Sequence, residues 1–209
     1  MKIEKEFKEA ILSLPETEKD KLLIRLVKKD KVLVKQLYFQ LLETSTVEEL
    51  REIIVEKFEK TIQILNPNLI SSEYNLMLMK DMSKMISEHV KTTKDKYGEP
   101  YLNLKMLILN LTAIARKQKP ESSSRSYIFN IYVIARVFKI LTLIKALHED
   151  LRYDFREDLE KLGELIVSNP NLNELGVQNS LENGWLLNFD IPDDIAVIQK
   201  NLRAAGFLK

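Results

Sequence analysis

Two long segments in the middle of the chain, residues 101–118 and 124–148, are apolar over most of a helix circumference. A helix with apolar side chains on nearly every side is stable in water only when other helices surround it. We therefore expect these segments to form two central, buried helices of an all-α protein.

The second segment is apolar enough to raise the question of a membrane span. Between residues 127 and 147 it contains Asn130, Arg136, Lys139 and Lys145, and charged groups are costly at the centre of a bilayer. The N-terminal stretch MKIEKEFKEA mixes charged and apolar residues and lacks the apolar core of a secretory signal. The sequence therefore predicts a cytoplasmic protein with no membrane contact.

Composition favours a helical fold and excludes several kinds of site. Only 5 glycines and 6 prolines occur in 209 residues, fewer than turn-rich β architectures need. The 32 Lys and Arg residues balance the 31 Asp and Glu residues, so no net field attracts nucleic acid, and none is expected as a partner. The absence of cysteine excludes disulfides, thiolate metal sites and a thiol nucleophile.

Apolar residues recur at helical spacing on both sides of the central segments. Thr46 and Glu49 form a capping box at the start of one helix. Asp30 is placed to cap another helix. Six apolar residues of that helix are expected to face inward: Leu33, Val34, Leu37, Tyr38, Leu41 and Leu42. The sequence predicts eight to nine antiparallel helices, arranged as a helical bundle or as HEAT-like stacked helix pairs.

The tetrapeptide Asn-Pro-Asn-Leu occurs twice, at residues 66–69 and 169–172. The residue before proline is pushed out of the α region, so we interpret both copies as helix stops and not as a repeat. After residue 169 the chain is rich in Asn, Gly and Pro and contains its only tryptophan, Trp185, which needs cover. We predict a helical domain over residues 1–168 and a packed C-terminal appendage over residues 169–209.

The two histidines do not fit a carboxylate-bridged di-iron bundle, which needs Glu-x-x-His on two helices. Ile86 stands three residues before His89, and Lys145 stands three residues before His148. Histidines at helix ends are the simpler interpretation, because the helix dipole stabilises them there. A mononuclear site from both histidines and a neighbouring carboxylate is the alternative. We predict no metal site and no cofactor.

Paired carboxylates offer a second metal-binding hypothesis. Glu48, Glu49 and Glu52 match the Glu-Glu-x-x-Glu half of the Mg²⁺ site of all-α nucleoside triphosphate pyrophosphohydrolases. The next helix lacks the Glu-x-x-Asp half, and the glutamates at 49 and 52 lie opposite the apolar stripe. A solvated helix face is therefore the favoured interpretation, because glutamates commonly cover exposed helix surface.

The best candidate for a small-anion site is the start of the second central helix. Ser122, Ser123, Ser124 and Arg125 stand there, where free backbone N–H groups and the helix dipole favour negative charge. The alternative is a polar loop that ends in a serine cap.

Arg136 and Lys139, one helical turn apart, stand inside an otherwise apolar stretch. A charge in such a helix must be paired or must reach the surface along its own side chain. A structural ion pair is one hypothesis, and a cation that lines a cleft and binds phosphate or carboxylate is the other.

Four stretches of the sequence look familiar as a set. They are LPETEKDKLLIRLVKKD at 14–30, EHVKTTKDKYGE at 88–99, IYVIARVFKI at 131–140 and HEDLRYDFREDLEKLG at 148–163. Together they resemble a family of uncharacterised, all-helical bacterial proteins that has no established activity. The resemblance implies a single helical domain and carries no catalytic residue across.

The function expected from these observations is that of a non-catalytic interaction or scaffold protein with a protein partner. Met77, Met79, Met82 and Met85 either fill gaps in the core or line a groove for a partner helix. The alternative is a metal-dependent hydrolase of nucleotides or other phosphorylated small molecules. The sequence leaves the oligomeric state open.

Overall fold

A computed structural model describes residues 4–65, 71–116 and 122–208 of the chain. These residues are 79% helical and contain no strand, which confirms the all-α fold. The α-helices are α1 Lys5–Leu12, α2 Glu16–Val27, α3 Lys31–Leu42, α4 Val47–Gln63, α5 Ser72–Thr93, α6 Gly98–Ala115, α7 Ser123–Lys145, α8 Glu149–Arg152, α9 Arg156–Val167, α10 Pro170–Gln178, α11 Gly184–Leu187 and α12 Ile195–Ala204. A 3-10 turn, Tyr153–Phe155, joins α8 to α9. The predicted count of eight to nine is not confirmed, because the C-terminal region adds short helices.

The chain divides into two compact units. The first consists of Met1–Thr44 with Lys91–Thr93, and the second of Ser45–Val90 with Lys94–Lys209. Helices α10 to α12 belong to the second unit. The boundary predicted at residue 168 stays a prediction.

The first unit contains α1 to α3 and the last residues of α5. Local sequence signals stand at the starts of two of its helices. Pro15 precedes α2, and the Asp30 carboxylate at the start of α3 accepts hydrogen bonds from the backbone N–H groups of Val32 and Leu33.

The inward-facing residues predicted for α3 are confirmed only in part. Leu33 and Leu37 are partly buried. The prediction is wrong for the exposed residues Val34, Tyr38, Leu41 and Leu42. Helices α1 to α3, all of whose residues the structure describes, contain no fully buried residue.

The second unit is built around α6 and α7, as their composition predicts. Leu104, Leu107, Val137 and Phe138 are fully buried there. Helix α6 packs against α4, α7 and α9, while α7 also packs against α10 and α12. Each central helix therefore has neighbours on several sides, which an all-round apolar surface requires.

Helix α7 is not covered along its whole length. Tyr127 and Ile128, in its second turn, are exposed. By length and composition alone, Ser124–Lys145 could cross a membrane, and it is the one such stretch among the described residues. Its most apolar window is 56% buried inside the protein, as in the core helix of a helical domain.

The C-terminal region contains more regular structure than its Asn, Gly and Pro content suggests. Helix α9 ends at Val167, in agreement with a stop at the second Asn-Pro-Asn-Leu. The same residues also start α10, because the Asn169 side chain accepts a hydrogen bond from Leu172 N–H and Pro170 is the first helical residue. The first Asn-Pro-Asn-Leu, at 66–69, lies outside the described residues.

The tryptophan that needed cover is covered by the core of the second unit. Trp185 in α11 is 6% exposed. Its ring meets the Phe138 ring edge-on, with centroids 6.0 Å apart, a preferred geometry for aromatic pairs. This contact joins the C-terminal region to α7.

Candidate functional site

The serines and arginine predicted to bind an anion lie at the exposed start of α7. Ser122 is the N-cap residue, but its side chain makes no capping hydrogen bond. Ser124 and Arg125 are exposed, and nothing is described of the Ser123 side chain. The predicted serine cap is therefore not formed by Ser122, and anion binding stays a prediction.

The two cations further along α7 have partners inside the second unit. Arg136 Nη1 donates to Asn103 Oδ1 at 3.2 Å, and the guanidinium lies 5.0 Å from the Tyr132 ring centroid. Lys139 Nζ lies 2.6 Å from Glu99 Oε1. Lys139 is therefore in an ion pair, whereas the contacts of Arg136 are with a neutral amide and an aromatic ring. Anion binding by either residue stays a prediction.

The two predicted anion-binding candidates lie apart on α7. Arg136 stands fourteen positions after Ser122, which corresponds to roughly 21 Å along the helix axis. Neither Arg136 nor Lys139 lines any of the three cavities described below.

A buried ionic cluster connects α4 with the α5–α6 turn. Arg51 Nε lies 2.8 Å from Asp95 Oδ2 without hydrogen-bond alignment, and His89 Nε2 lies 3.1 Å from the same oxygen. Gly98 N–H donates to the other oxygen at 2.7 Å. Burial raises the pKa of Asp95, but these hydrogen bonds and the Arg51 charge outweigh it and hold the pKa below 3.8.

Aromatic side chains cover this cluster. The Arg51 guanidinium lies 5.0 Å from the Tyr97 ring centroid, and Tyr97 stacks against Tyr101. Burial, followed by the nearby Glu52 carboxylate, raises the pKa of Tyr101 to about 12. Asp95 thus sits in a closed structural network with both carboxylate oxygens engaged.

The side chains of this network are not arranged as a set of metal ligands. Across residues 4–65, 71–116 and 122–208, no three His, Cys, Asp or Glu side chains are grouped so as to hold a metal ion. Glu48 Oε1 instead lies 2.6 Å from Arg51 Nη2, and Glu49 accepts the Thr46 N–H in the predicted capping box.

The most unusual surface of the first unit is its exposed apolar face. Helix α3 has eight apolar residues among its twelve, a composition close to that of the buried central helices. Its most exposed apolar side chains are Leu41 at 74%, Leu42 at 66% and Tyr38 at 60%. We call Val34, Tyr38, Leu41 and Leu42, which lie within about 100° of one another around the helix, the apolar face.

The second unit contains a groove between α7 and α10. Three neighbouring cavities of about 520, 190 and 290 Å³ form it. The first and second share Asn130 and Asn171, and the second and third share Tyr127, Leu175 and Gln178. We call the three adjoining cavities together the amide groove, after the side chains of Asn130, Asn171, Gln178 and Asn179.

Two carboxamides of the amide groove are almost fully buried, and one of them has an unpaired acceptor among the described residues. Asn130 is 3% exposed, and its Nδ2 donates to Ser126 Oγ at 3.4 Å. Asn179 is also 3% exposed; its Nδ2 donates to Leu175 O at 2.8 Å, while its Oδ1 has no partner within the described residues. Sequence reasoning missed Asn179, because asparagine in a turn-rich region indicates a loop as readily as a site. It noted Asn130 only as a polar residue in an apolar segment.

The described residues define an all-α protein with an exposed apolar helix face in its first unit and a groove lined by carboxamides in its second. Comparison of the chain with protein-family models, with curated proteins and with solved structures finds no match. The resemblance suggested by the four sequence stretches therefore stays a prediction.

Proposed function

We propose that the chain is a non-catalytic interaction or scaffold protein that binds another protein through its apolar face. One observation carries this proposal: α3 is two-thirds apolar, and yet no residue of α1 to α3 is buried. Soluble proteins rarely expose large contiguous apolar patches unless the patch is an interaction site.

The chemistry of the apolar face indicates what kind of partner fits it. Lys31 brings a positive charge to the start of α3, and no acid occurs in this helix. A complementary partner therefore presents apolar side chains beside an acidic one, since matched charges orient an encounter and exclude wrong partners. An amphipathic helix has this arrangement.

We also propose the finer architecture predicted from the sequence, in which consecutive helices form antiparallel, HEAT-like pairs. Three residues connect α2 to α3, a length typical of neighbouring antiparallel helices. In stacked helix pairs each pair covers its neighbour, so a terminal pair has one face without cover. If α2 and α3 form such a terminal pair, one face of α3 is expected to be exposed.

Site-specific photo-crosslinking in the native cells tests the proposal. A photoreactive phenylalanine analogue replaces Tyr38 or Leu41 in the full chain, and Val197, an exposed apolar residue of α12, serves as the matched control. We expect a discrete crosslinked protein from positions 38 and 41 and none from 197. An adduct of twice the chain mass would identify a second copy as the partner.

Two results would contradict the interaction function. One is the absence of any adduct from both α3 positions under conditions in which the photoreactive group is consumed. The other is an identical set of adducts from all three positions, which would indicate collisions without a specific interface.

A further inference from the structure

We propose that the amide groove of the second unit binds a short, extended and uncharged peptide segment. The backbone N–H and C=O groups of the peptide pair with the carboxamides of the groove. The proposal rests on different residues from the apolar face and goes beyond the interaction function of the first unit.

The length of the groove suits an extended chain. It follows α10 from Asn171 in the first cavity to Gln178 in the third, nearly the whole nine-residue helix. A nine-residue helix is about 13 Å long. An extended peptide advances by about 3.3 Å per residue, so about four residues fit along it.

The carboxamides of the groove supply the recognition chemistry. Asn179 Oδ1, in the third cavity, is buried and has no partner within the described residues. Asn130 lines both the first and the second cavity, and its Nδ2 donates to Ser126 Oγ, while Asn171 beside it is partly exposed. A buried polar atom without a partner is unfavourable, so a ligand that supplies donors is bound in preference to none.

A peptide backbone repeats the donor and acceptor groups that a row of carboxamides can use. A carboxamide offers one acceptor oxygen and two donor hydrogens. A peptide unit offers one C=O acceptor and one N–H donor. Several carboxamides spaced along one groove therefore fit a repeating amide chain. A small neutral molecule would occupy the first cavity alone and would leave the carboxamides of the other two cavities without a partner.

The lining also sets the side chains that the peptide carries. Glu174 is the one charged side chain among the described residues that line the three cavities, so an acidic peptide is disfavoured. Leu111, Phe129 and Leu165 form an apolar wall in the widest cavity, about 520 Å³. A large apolar side chain fits there as the anchor of the segment.

The test begins with a random heptapeptide phage library, panned against the full chain. We expect enriched peptides that lack Asp and Glu and share one large apolar residue. Synthetic copies of the most enriched peptide should bind Asn130→Leu about fivefold to tenfold more weakly, the effect of losing about one hydrogen bond. Methylation of single backbone nitrogens in the peptide should lower affinity at some positions.

Matched variants separate a binding effect from a folding effect. Asn110→Leu changes a fully buried asparagine of α6, which donates to Met106 O and does not line the groove. It should leave the affinity for the peptide unchanged. Should Asn130→Leu fail to fold, Asn171→Ala changes a partly exposed groove residue, and it should weaken binding in the same direction.

Three outcomes overturn the proposal. The first is a library with no enriched sequence. The second is an enriched peptide that binds Asn130→Leu, Asn171→Ala and the unchanged chain equally well. The third is a capped single residue, N-acetylphenylalanine methylamide, that binds as tightly as the heptapeptide, because it would show a small-molecule cavity in place of an extended peptide site.

Discussion

At the scale of single residues, the ionic cluster shows how closely one backbone position constrains its surroundings. Gly98 N–H donates to Asp95 Oδ1, and Asp95 also contacts Arg51 and His89. The hydrogen bond brings the glycine backbone against the carboxylate. There is consequently no room for a side chain at position 98.

Gly98→Ala should destabilise the protein. The added Cβ would lie 2.6 Å from Asp95 Cγ and 2.8 Å from Arg51 Cδ, so the cluster must shift, at a cost of about 1–3 kcal/mol in the free energy of unfolding. Urea denaturation measures this loss. Gly184→Ala is the matched control: its nearest neighbour would be 3.6 Å away, and we expect a change within about 1 kcal/mol. Equal effects at both glycines would disprove the steric argument.

The lowered pKa of Asp95 makes part of the stability depend on pH. A carboxylate whose folded-state pKa lies below its unfolded value of 3.8 stabilises the fold above that value, and this contribution is lost as pH falls through the folded-state pKa. The unfolding free energies of the unchanged chain and Asp95→Asn should therefore differ most above about pH 4. Denaturation curves between pH 6 and pH 3 should show the difference narrowing, and a constant difference would argue against an ionised Asp95.

At the scale of elements, α3 and α7 show that similar helices can have different surroundings. Both are rich in apolar residues, and both read as core helices in the sequence. Much of α7 is buried among α6, α10 and α12, whereas α3 buries no side chain. Composition therefore indicates that a helix needs cover, but not whether its own chain supplies that cover.

Replacing both Leu41 and Leu42 with Gln should leave the stability of the isolated chain nearly unchanged. Both leucines are mostly exposed, and substitutions at exposed sites usually change the unfolding free energy by no more than about 0.5 kcal/mol. Leu107→Ala, in the buried centre of α6, should cost about 2–5 kcal/mol. Chemical denaturation compares the two. A loss from the α3 variant as large as that from Leu107→Ala would show that the chain itself covers these leucines.

At the scale of the whole molecule, the two units differ in how they use their apolar residues. The second unit gathers many of its apolar residues into one core around α6 and α7, although it also exposes some, such as Ile64 and Ile128. In the first unit, α1 to α3 contain no fully buried residue. This contrast is the reason for expecting protein binding at the first unit and peptide binding in a groove of the second.

The all-α fold, the central helices and several helix boundaries were predictable, because local chemistry determines them. The Asp30 cap and the Thr46–Glu49 capping box are formed as predicted. Each depends on residues within one turn of the helix that it starts. The additional helix α10 was missed, because the Asn-Pro that ends one helix also starts the next.

The candidate sites were predictable only in part. Arg136 and Lys139 required partners by sequence reasoning, but the identity of Asn103 and Glu99 as those partners depends on how α6 lies against α7. The amide groove left no signal in the sequence. Its carboxamides come from α7 and from α10, which are distant along the chain and adjacent in the fold.

The sequence by itself determined that this protein is helical, where several of its helices begin, and which two helices form the centre. These properties follow from apolar periodicity and capping, which act over one to a few helical turns. Only the tertiary structure decided which apolar face is left exposed, which carboxylate lies beside Arg51, and which asparagines face a groove with atoms unpaired. Those depend on contacts between helices far apart in sequence, and packing of the whole chain selects them.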